Sequence, residues 1–159
     1  MGVSERKFGT LPTGEEIKIY HLENKSGAYA EVLSFGAILA KICVPDKTGE
    51  LRDVVLGYDD IEGYEVNGCF FGAIIGRSGN RIENARFFID DKEVVLAENE
   101  NHNNLHSGPN GFEKKLWEVK EISQEKNSVD FFRISPDGEN GFPGEFTVVV
   151  KYEFTEENE

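Results

Sequence analysis

A chain of 159 residues with a formal net charge of −13, from 17 Lys and Arg against 30 Asp and Glu, is poorly suited to nucleic acid or an anionic membrane. Both partners require a cationic face. Hydrophobic residues make up 38% of the sequence, enough for the core of one domain spanning residues 1–159. No signal-like apolar run opens the chain, and no stretch reaches the roughly 18 apolar residues of a membrane span, so a cytoplasmic protein is predicted.

Most of the chain is predicted to form short β-strands. Apolar residues recur with a period of two or in short β-branched and aromatic runs, which are both typical of strands. The predicted strands are residues 17–19, 31–33, 37–44, 53–56, 70–75, 87–89, 93–96, 117–119, 129–134 and 146–154. Turn signals separate them at 46–49, 90–91, 124–127 and 135–138. A helical turn is predicted only at 59–64, so the fold class is all-β, an antiparallel β-sandwich.

The two cysteines, Cys43 and Cys69, lie in apolar stretches of the sequence. Unpaired cysteines are among the most buried residue types, and two cysteines alone do not make a disulfide framework. Both are therefore predicted to be buried free thiols.

A glycine-rich bend follows the predicted strand at 70–75. Its sequence, Gly76-Arg77-Ser-Gly-Asn80-Arg81-Ile, places two arginines and an asparagine where glycines let the backbone approach a ligand closely. Guanidinium and amide groups suit a polyhydroxylated ligand. The alternative is that the arginines form surface ion pairs in an acidic protein. The spacing does not fit a dinucleotide-binding motif, because the G-x-G-x-x-G pattern and a following helix are both missing.

The long polar segment 97–115 is the strongest candidate for a functional loop. Loops of this length are uncommon in compact domains and are usually functional or disordered. Its asparagines, glycines and Pro109 favour an ordered loop rich in turns. The segment contains two of the three histidines of the chain, His102 and His106. A site is therefore expected here.

His106 is the natural candidate for acid/base chemistry, because a histidine exchanges protons near neutral pH. The alternative is an ordinary solvent-exposed loop histidine. A metal site with His102 is not expected, because a spacing of four residues brings two side chains together only in a helix. The Asn, Gly and Pro content of this segment disfavours a helix.

Three aromatic residues near these clusters, Phe112, Trp117 and Phe142, either pack in the core or present a flat face to a sugar. A core position is favoured for Trp117. For Phe112 both interpretations remain open.

Several different short motifs occur along the chain, from its first predicted strands to its last predicted turn. In order they are Phe35-Gly-Ala37, Val44-Pro-Asp46, Asp53-Val-Val-Leu-Gly-Tyr58, Gly76-Arg-Ser-Gly-Asn-Arg-Ile82, Asn104-Leu-His-Ser-Gly108, Gly111-Phe112, Ser135-Pro-Asp-Gly-Glu139 and Gly141-Phe-Pro-Gly144. Together they strongly resemble aldose 1-epimerase, also called galactose mutarotase. The resemblance covers essentially the whole chain.

The resemblance implies a β-supersandwich, of which residues 1–159 would form the N-terminal half. It also implies interconversion of the α and β anomers of hexoses such as galactose and glucose, without metal or organic cofactor. Asn80 and Arg81 would contact sugar hydroxyls, and His106 would bind the sugar beside its ring oxygen. Arg77 matches the motif as well and is expected to be structural.

Two departures from the family pattern affect these expectations. Ser107 stands where the family usually has glycine. The family is also about twice as long, and its second active-site histidine and glutamate base would lie beyond residue 159. The chain alone is therefore expected to bind sugar weakly and to catalyse poorly. Its apolar strand at 146–154 is expected to pair with a further segment or with a second copy through an exposed sheet edge.

Two other functions remain open on the sequence. One is a hexose-6-phosphate 1-epimerase of the same superfamily, against which the net charge of −13 and the few clustered lysines argue. The other is a non-catalytic carbohydrate-binding β-sandwich, in which His106 would contribute to affinity alone.

Overall fold

Short β-strands make up most of the structure, a computed structural model that describes residues 2–159. The strands are β1 (Gly2–Thr10), β2 (Glu16–Glu23), β3 (Tyr29–Leu33), β4 (Leu39–Pro45), β5 (Leu51–Asp53), β6 (Arg81–Ile82), β7 (Arg86–Ile89), β8 (Lys92–Val95), β9 (Asn104–Leu105), β10 (Glu118–Ser123), β11 (Ser128–Ser135) and β12 (Phe146–Glu153). Within these residues there is one α-helix, α1 (Ile61–Val66), and 3-10 turns at Glu83–Ala85, Phe112–Lys114 and Glu139–Gly141. No helix of the described chain has the length and apolar character to cross a membrane.

The strands form two main antiparallel sheets and two short ladders. The first sheet has the order β1-β2-β3-β4-β5, and the second has the order β10-β11-β12. The ladders are β6–β9 and β7–β8. All of these pairs are antiparallel, which confirms the predicted all-β class.

The two main sheets pack face to face around one core. The ring of Tyr20 on β2 meets the ring of Phe131 on β11 edge-on, with 5.4 Å between centroids. The Tyr152 hydroxyl on β12 donates a hydrogen bond of 2.8 Å to the carbonyl of Ala37, which adds a polar link across the sandwich. Trp117 is buried between the sheets, as expected for a core residue. Apolar side chains from both sheets, such as Val32 on β3 and Val129 on β11, are buried in this shared core.

β1 is the strand that the sequence pattern did not reveal. Most of its residues are exposed, so it lacks the alternation that predicts a strand. It forms because its backbone pairs with β2 along nearly its full length. A bulge between Lys7 and Gly9 bends it beneath α1, where a β-carbon at Gly9 would lie 2.7 Å from Ile61 Cγ2. The helix itself begins after Asp60, whose side chain accepts a 2.8 Å hydrogen bond from the Gly63 N–H.

Two predicted strands are wrong in part or in full. Residues 70–75 form a turn at 71–72 and irregular backbone instead of a strand. Phe70 and Gly72 have positive φ, and a β-carbon at Gly72 would collide with the Leu39 carbonyl. The strand predicted at 53–56 ends at Asp53, and the side chains of the next residues point to solvent, with Leu56 71% exposed. In both places an apolar run without alternation was mistaken for a buried strand.

The two cysteines differ in their surroundings. Cys43 on β4 is buried, as predicted, but Cys69 is exposed, which corrects the expectation for that residue. The reason is the missing strand at 70–75, because without it Cys69 lies in a surface turn. Both thiols are free.

Candidate functional site

The short β6–β9 ladder brings the two candidate clusters together. Arg81 pairs with Leu105 and Ile82 pairs with Asn104. One residue further along, the His106 N–H donates a 3.0 Å hydrogen bond to the Asn80 carbonyl. Asn80, Arg81 and His106 therefore lie side by side on neighbouring backbone segments, although His106 is more than twenty residues away in sequence from the adjacent pair Asn80 and Arg81.

The orientation of His106 is set by Asn80 and Phe70. The Asn80 backbone N–H donates a 2.9 Å hydrogen bond to Nδ1 of the imidazole. The ring of Phe70 packs edge-on against the imidazole, with 4.8 Å between centroids. Because Nδ1 accepts this bond, the neutral ring carries its proton on Nε2. Within residues 2–159, Nε2 has no hydrogen-bond partner, so it is free to donate to a ligand.

The guanidinium of Arg81 is half exposed and is held by Glu100. Arg81 Nη2 lies 2.9 Å from Glu100 Oε1, and Nε lies 3.2 and 3.3 Å from the two carboxylate oxygens. These hydrogen bonds hold the pKa of the Glu100 carboxyl below its usual range. Arg81 Nη1 donates a further bond of 3.3 Å to Oδ1 of Asn80. The amide and the guanidinium thus present a joined polar surface.

Ser107 links the two loops that carry these residues. Its hydroxyl accepts a 2.6 Å hydrogen bond from the Ser78 N–H and donates one of 2.9 Å to the Ser78 carbonyl. The side chain is buried, and the residue has φ of 62°. The serine that stands where the family usually has glycine therefore ties the His106 loop to the bend before Asn80.

Asparagine side chains hold the segment 97–115 in an ordered conformation. Asn99 accepts a hydrogen bond from the Leu105 N–H and donates one to the Leu105 carbonyl. Asn104 is fully buried and donates to the carbonyls of Ala97 and Gly108. From outside the segment, Asn140 donates a 2.7 Å bond to the Ser107 carbonyl. This network confirms the predicted ordered, turn-rich loop.

All the N–H groups of the Arg77 guanidinium donate hydrogen bonds within the protein. Nε donates to the Ser135 hydroxyl over 2.9 Å, and Nη2 donates to the carbonyls of Ser135 and Pro136. Nη1 donates to the carbonyls of Pro143 and Gly144. A guanidinium has five N–H groups, so none remains for a ligand. These contacts agree with the structural role expected of Arg77. They link the glycine-rich bend at 76–82 to the segment between β11 and β12.

The remaining candidates lie away from this cluster or beneath it. The His102 side chain is 85% exposed, and its Nδ1 lies 3.0 Å from Oε2 of Glu98. Phe112 is buried against Trp117, with 5.7 Å between their ring centroids. Phe112 is therefore a core residue and does not present its face to a sugar. Phe142 is also buried, in a small cluster under the β7–β8 ladder. Within the described chain, no three His, Cys, Asp or Glu side chains converge in the manner of a metal site.

Glu100 and Phe70 are the site neighbours that reasoning from the sequence missed. Glu100 is one of many acidic residues in the chain, and only its approach to Arg81 distinguishes it. Phe70 was assigned to a strand, where it would have belonged to the core. Phe70 is instead half-buried with a positive φ of 57°, and its ring packs against His106. An ion pair between Arg81 and an acidic residue could be expected, but a spacing of 19 residues does not indicate which acidic residue is the partner.

Comparison with known proteins agrees with this fold and these motifs. The family model described as aldose 1-epimerase matches residues 18–159. The galactose mutarotase of Homo sapiens is 42% identical over 151 residues, which are 94% of this chain and 43% of that protein. The galactose mutarotase of Bos taurus is 40% identical over 153 residues, covering 96% of this chain and 44% of the relative.

A solved structure shows the same architecture. The crystal structure of galactose 1-epimerase from Lactobacillus acidophilus superposes with a TM-score of 0.84 at 25% identity, and the match covers 98% of this chain and 45% of that one. The chain thus spans less than half the length of these relatives, and its two sheets form part of a galactose mutarotase-like supersandwich. On the evidence of the family model and these relatives, this chain belongs to the aldose 1-epimerase family.

Proposed function

We propose that residues 2–159 form the hexose-binding part of an aldose 1-epimerase site that acts on sugars such as galactose and glucose. The observation that carries this proposal is the convergence of Asn80, Arg81 and His106 through the β6–β9 ladder, in a chain of this family. The relatives named above are two galactose mutarotases and a galactose 1-epimerase, which supports a hexose as the ligand.

Asn80 and Arg81 would bind sugar hydroxyls. The Arg81 guanidinium keeps N–H groups that are not engaged by Glu100 or Asn80, and a hydroxyl accepts hydrogen bonds from such donors. The Asn80 amide is exposed beside it and supplies both a donor and an acceptor. Fixed donors of this kind hold a sugar in one orientation, which is the first requirement for ring opening.

His106 would donate a hydrogen bond from Nε2 to the sugar beside its ring oxygen. Because Nδ1 accepts the Asn80 N–H, the donor that a neutral imidazole offers to the ligand is Nε2–H. A neutral Nε2–H polarises the ring oxygen and stabilises the negative charge that develops there as the ring opens. Full proton transfer would require a further acid and base, as mutarotation demands two groups with complementary proton states.

The carboxylate nearest to this cluster is a poor candidate for the base. Glu100 is hydrogen-bonded to Arg81, and its lowered pKa makes it a weak proton acceptor near neutral pH. The family resemblance assigns the base to a glutamate for which this chain has no matching position. We therefore expect the 159-residue chain to bind hexose while accelerating mutarotation little.

The test combines hexose titration with polarimetry. Binding of D-galactose and D-glucose would be followed by NMR of the protein, and mutarotation of fresh α-D-galactose would be followed by optical rotation. Arg81→Ala is expected to weaken hexose binding about tenfold or more, because it removes charged hydrogen-bond donors. Arg86→Ala is the matched control, since Arg86 is equally exposed and also pairs with a glutamate, but lies on β7 outside the site.

The outcomes separate the proposed function from its alternatives. Saturable binding that is weakened by Arg81→Ala and not by Arg86→Ala supports the proposal. Substitution His106→Ala should weaken binding as well, and any acceleration by the wild-type chain should disappear with it. If the folded chain binds neither sugar, or binds with equal affinity after Arg81→Ala, the proposed site is wrong. Binding with no rate effect fits either a part of an epimerase or a carbohydrate-binding module.

A further inference from the structure

We infer that Glu100 is a positioning residue for Arg81 and that it biases the site toward uncharged sugars over sugar phosphates. The inference rests on the proposed function, since it concerns how the Arg81 guanidinium meets its ligand. It assigns a role to a residue that lies outside the motifs shared with the family.

The first observation is the geometry of the ion pair. Both oxygens of Glu100 face the Nε–Nη2 edge of the guanidinium, at distances from 2.9 to 3.3 Å. This arrangement fixes the plane of the guanidinium as well as its position. Together with the bond from Nη1 to Asn80, these contacts engage Nε–H, one Nη2–H and one Nη1–H. Of the five N–H groups, two are left to meet a ligand.

The second observation is that Glu100 is itself held in place. Asn103 Nδ2 donates to Glu100 Oε2 over 3.4 Å. The backbones of the two residues also exchange hydrogen bonds of 3.2 and 2.8 Å in a tight turn. Asn103 immediately precedes β9, which ends at Leu105 just before His106, so the same loop orients both Arg81 and His106. A supporting residue with fixed partners of its own is what a precisely oriented donor requires.

The third observation concerns charge. An unpaired arginine is the residue that proteins commonly use to bind phosphate, because its charge and donor geometry match that anion. Here the Glu100 carboxylate compensates the charge of Arg81 without occupying every donor. The chain as a whole carries a net charge of −13, which adds to the repulsion of an anionic ligand. Glu100 therefore leaves hydrogen-bond donors for neutral hydroxyls while reducing the attraction for phosphate.

The experiment compares Glu100→Gln with Glu93→Gln in the full 159-residue chain. Glu93 pairs with Arg86 at 3.2 Å on the β7–β8 hairpin, so it controls for the loss of an exposed ion pair. Affinities for D-galactose and D-galactose 6-phosphate would be measured by NMR titration. Glu100→Gln is expected to weaken galactose binding about three- to tenfold and to shift the galactose-to-phosphate affinity ratio about threefold or more toward the phosphate. Glu93→Gln should change neither quantity.

A double-mutant cycle separates positioning from a general structural effect. If Glu100 acts through Arg81, Glu100→Gln should have no further effect on galactose affinity in an Arg81→Ala background. An equal loss of affinity in both backgrounds, or an affinity and ratio unchanged by Glu100→Gln, would overturn the inference.

A ligand-free measurement keeps this inference distinct from the proposed function. The Arg81 Nε–H signal, assigned by its loss in Arg81→Lys, should shift and exchange with solvent several-fold faster in Glu100→Gln and stay unchanged in Glu93→Gln. If the wild-type chain binds neither sugar, the proposed function fails and this signal alone decides whether Glu100 positions Arg81. A signal that Glu100→Gln leaves unchanged would refute the positioning role even if sugar binds.

Discussion

Asn80 and His106 exchange two hydrogen bonds across the β6–β9 ladder. The Asn80 N–H donates to the imidazole Nδ1 over 2.9 Å, and the Asn80 carbonyl accepts from the His106 N–H over 3.0 Å. The pair joins two loops and also selects the imidazole tautomer with a proton on Nε2. One backbone segment therefore sets both the position and the neutral tautomer of the candidate sugar-binding histidine.

The hydrogen bonds between Ser107 and Ser78 should stabilise the fold. Ser107→Ala removes both hydrogen bonds to Ser78 and leaves two backbone groups without these partners, so it should lower the free energy of unfolding by about 1–3 kcal/mol. Ser107→Gly should cost less, because a glycine adopts the φ of 62° without strain. Urea denaturation of the two variants and wild type measures both effects. A larger loss for glycine than for alanine would contradict this account.

Arg77 should contribute chiefly to stability. Arg77→Lys keeps the charge but cannot reproduce five hydrogen bonds to four residues around it, so we expect a loss of about 2–4 kcal/mol in the free energy of unfolding. Arg52→Lys, at an exposed ion pair on β5, should change this quantity by less than about 0.5 kcal/mol. Equal effects of the two substitutions in thermal or urea unfolding would remove the structural role from Arg77.

Glu113 should make stability depend on pH. Its side chain is buried in the Phe112–Lys114 turn, Oε2 has no hydrogen-bond partner in the described chain, and burial raises the pKa of the carboxyl. The unfolded state therefore loses this proton at a lower pH than the folded state. The contribution is fully present below the ordinary carboxyl pKa and is lost as pH rises through the higher folded value.

Glu113→Gln removes this titration. Relative to wild type, the variant should gain stability as pH rises from about 4 to 8, and the gain should level off above the folded pKa. Urea unfolding across this pH range measures the difference. Glu118→Gln, at an exposed position on β10, serves as the control and should show no such trend. A difference between Glu113→Gln and wild type that is independent of pH would refute the prediction.

The exposed edge of β12 should promote self-association of this chain. Within residues 2–159 the strand pairs with β11 alone, so its other edge offers free backbone groups, and Val149 on it is 43% exposed. Val149→Lys places a charge on this edge strand and should shift sedimentation profiles toward the monomer. Leu56→Lys removes another exposed apolar side chain outside the sheet and should have little effect. A wild-type chain that remains monomeric at 100 µM or so would contradict the expectation.

Reasoning from sequence located the strands that have a periodic pattern and failed where that pattern is missing. β2 and β11 have buried apolar residues two positions apart, Ile17 and Ile19 on β2 and Val129 and Phe131 on β11, so their strands could be predicted. β1 is mostly exposed and is held by backbone pairing with β2 and by ion pairs such as that of Glu5 with Lys18, and contacts of this kind leave little trace in hydrophobicity. The run at 70–75 carried a misleading signal, because its apolar residues lie in one turn and irregular backbone.

The candidate site shows the same division. The residue types at Asn80, Arg81 and His106, and their resemblance to a family, could be identified from the sequence because they occur in short motifs with glycine and turn residues. The Glu100 partner could not, since a single carboxylate among 30 acidic residues has no distinguishing neighbours along the chain.

The sequence by itself determined the all-β class, the main turns, the ordered loop at 97–115 and the candidate residues in this loop and the glycine-rich bend. Only the tertiary structure decided that β6 meets β9, that Asn80 sets the His106 tautomer, and that Glu100 holds Arg81. The physical reason is the distance along the chain over which each kind of interaction acts. Period and turn chemistry act between residues a few positions apart, whereas a two-residue ladder is too short to carry a pattern and forms only because the surrounding sandwich brings its two segments together.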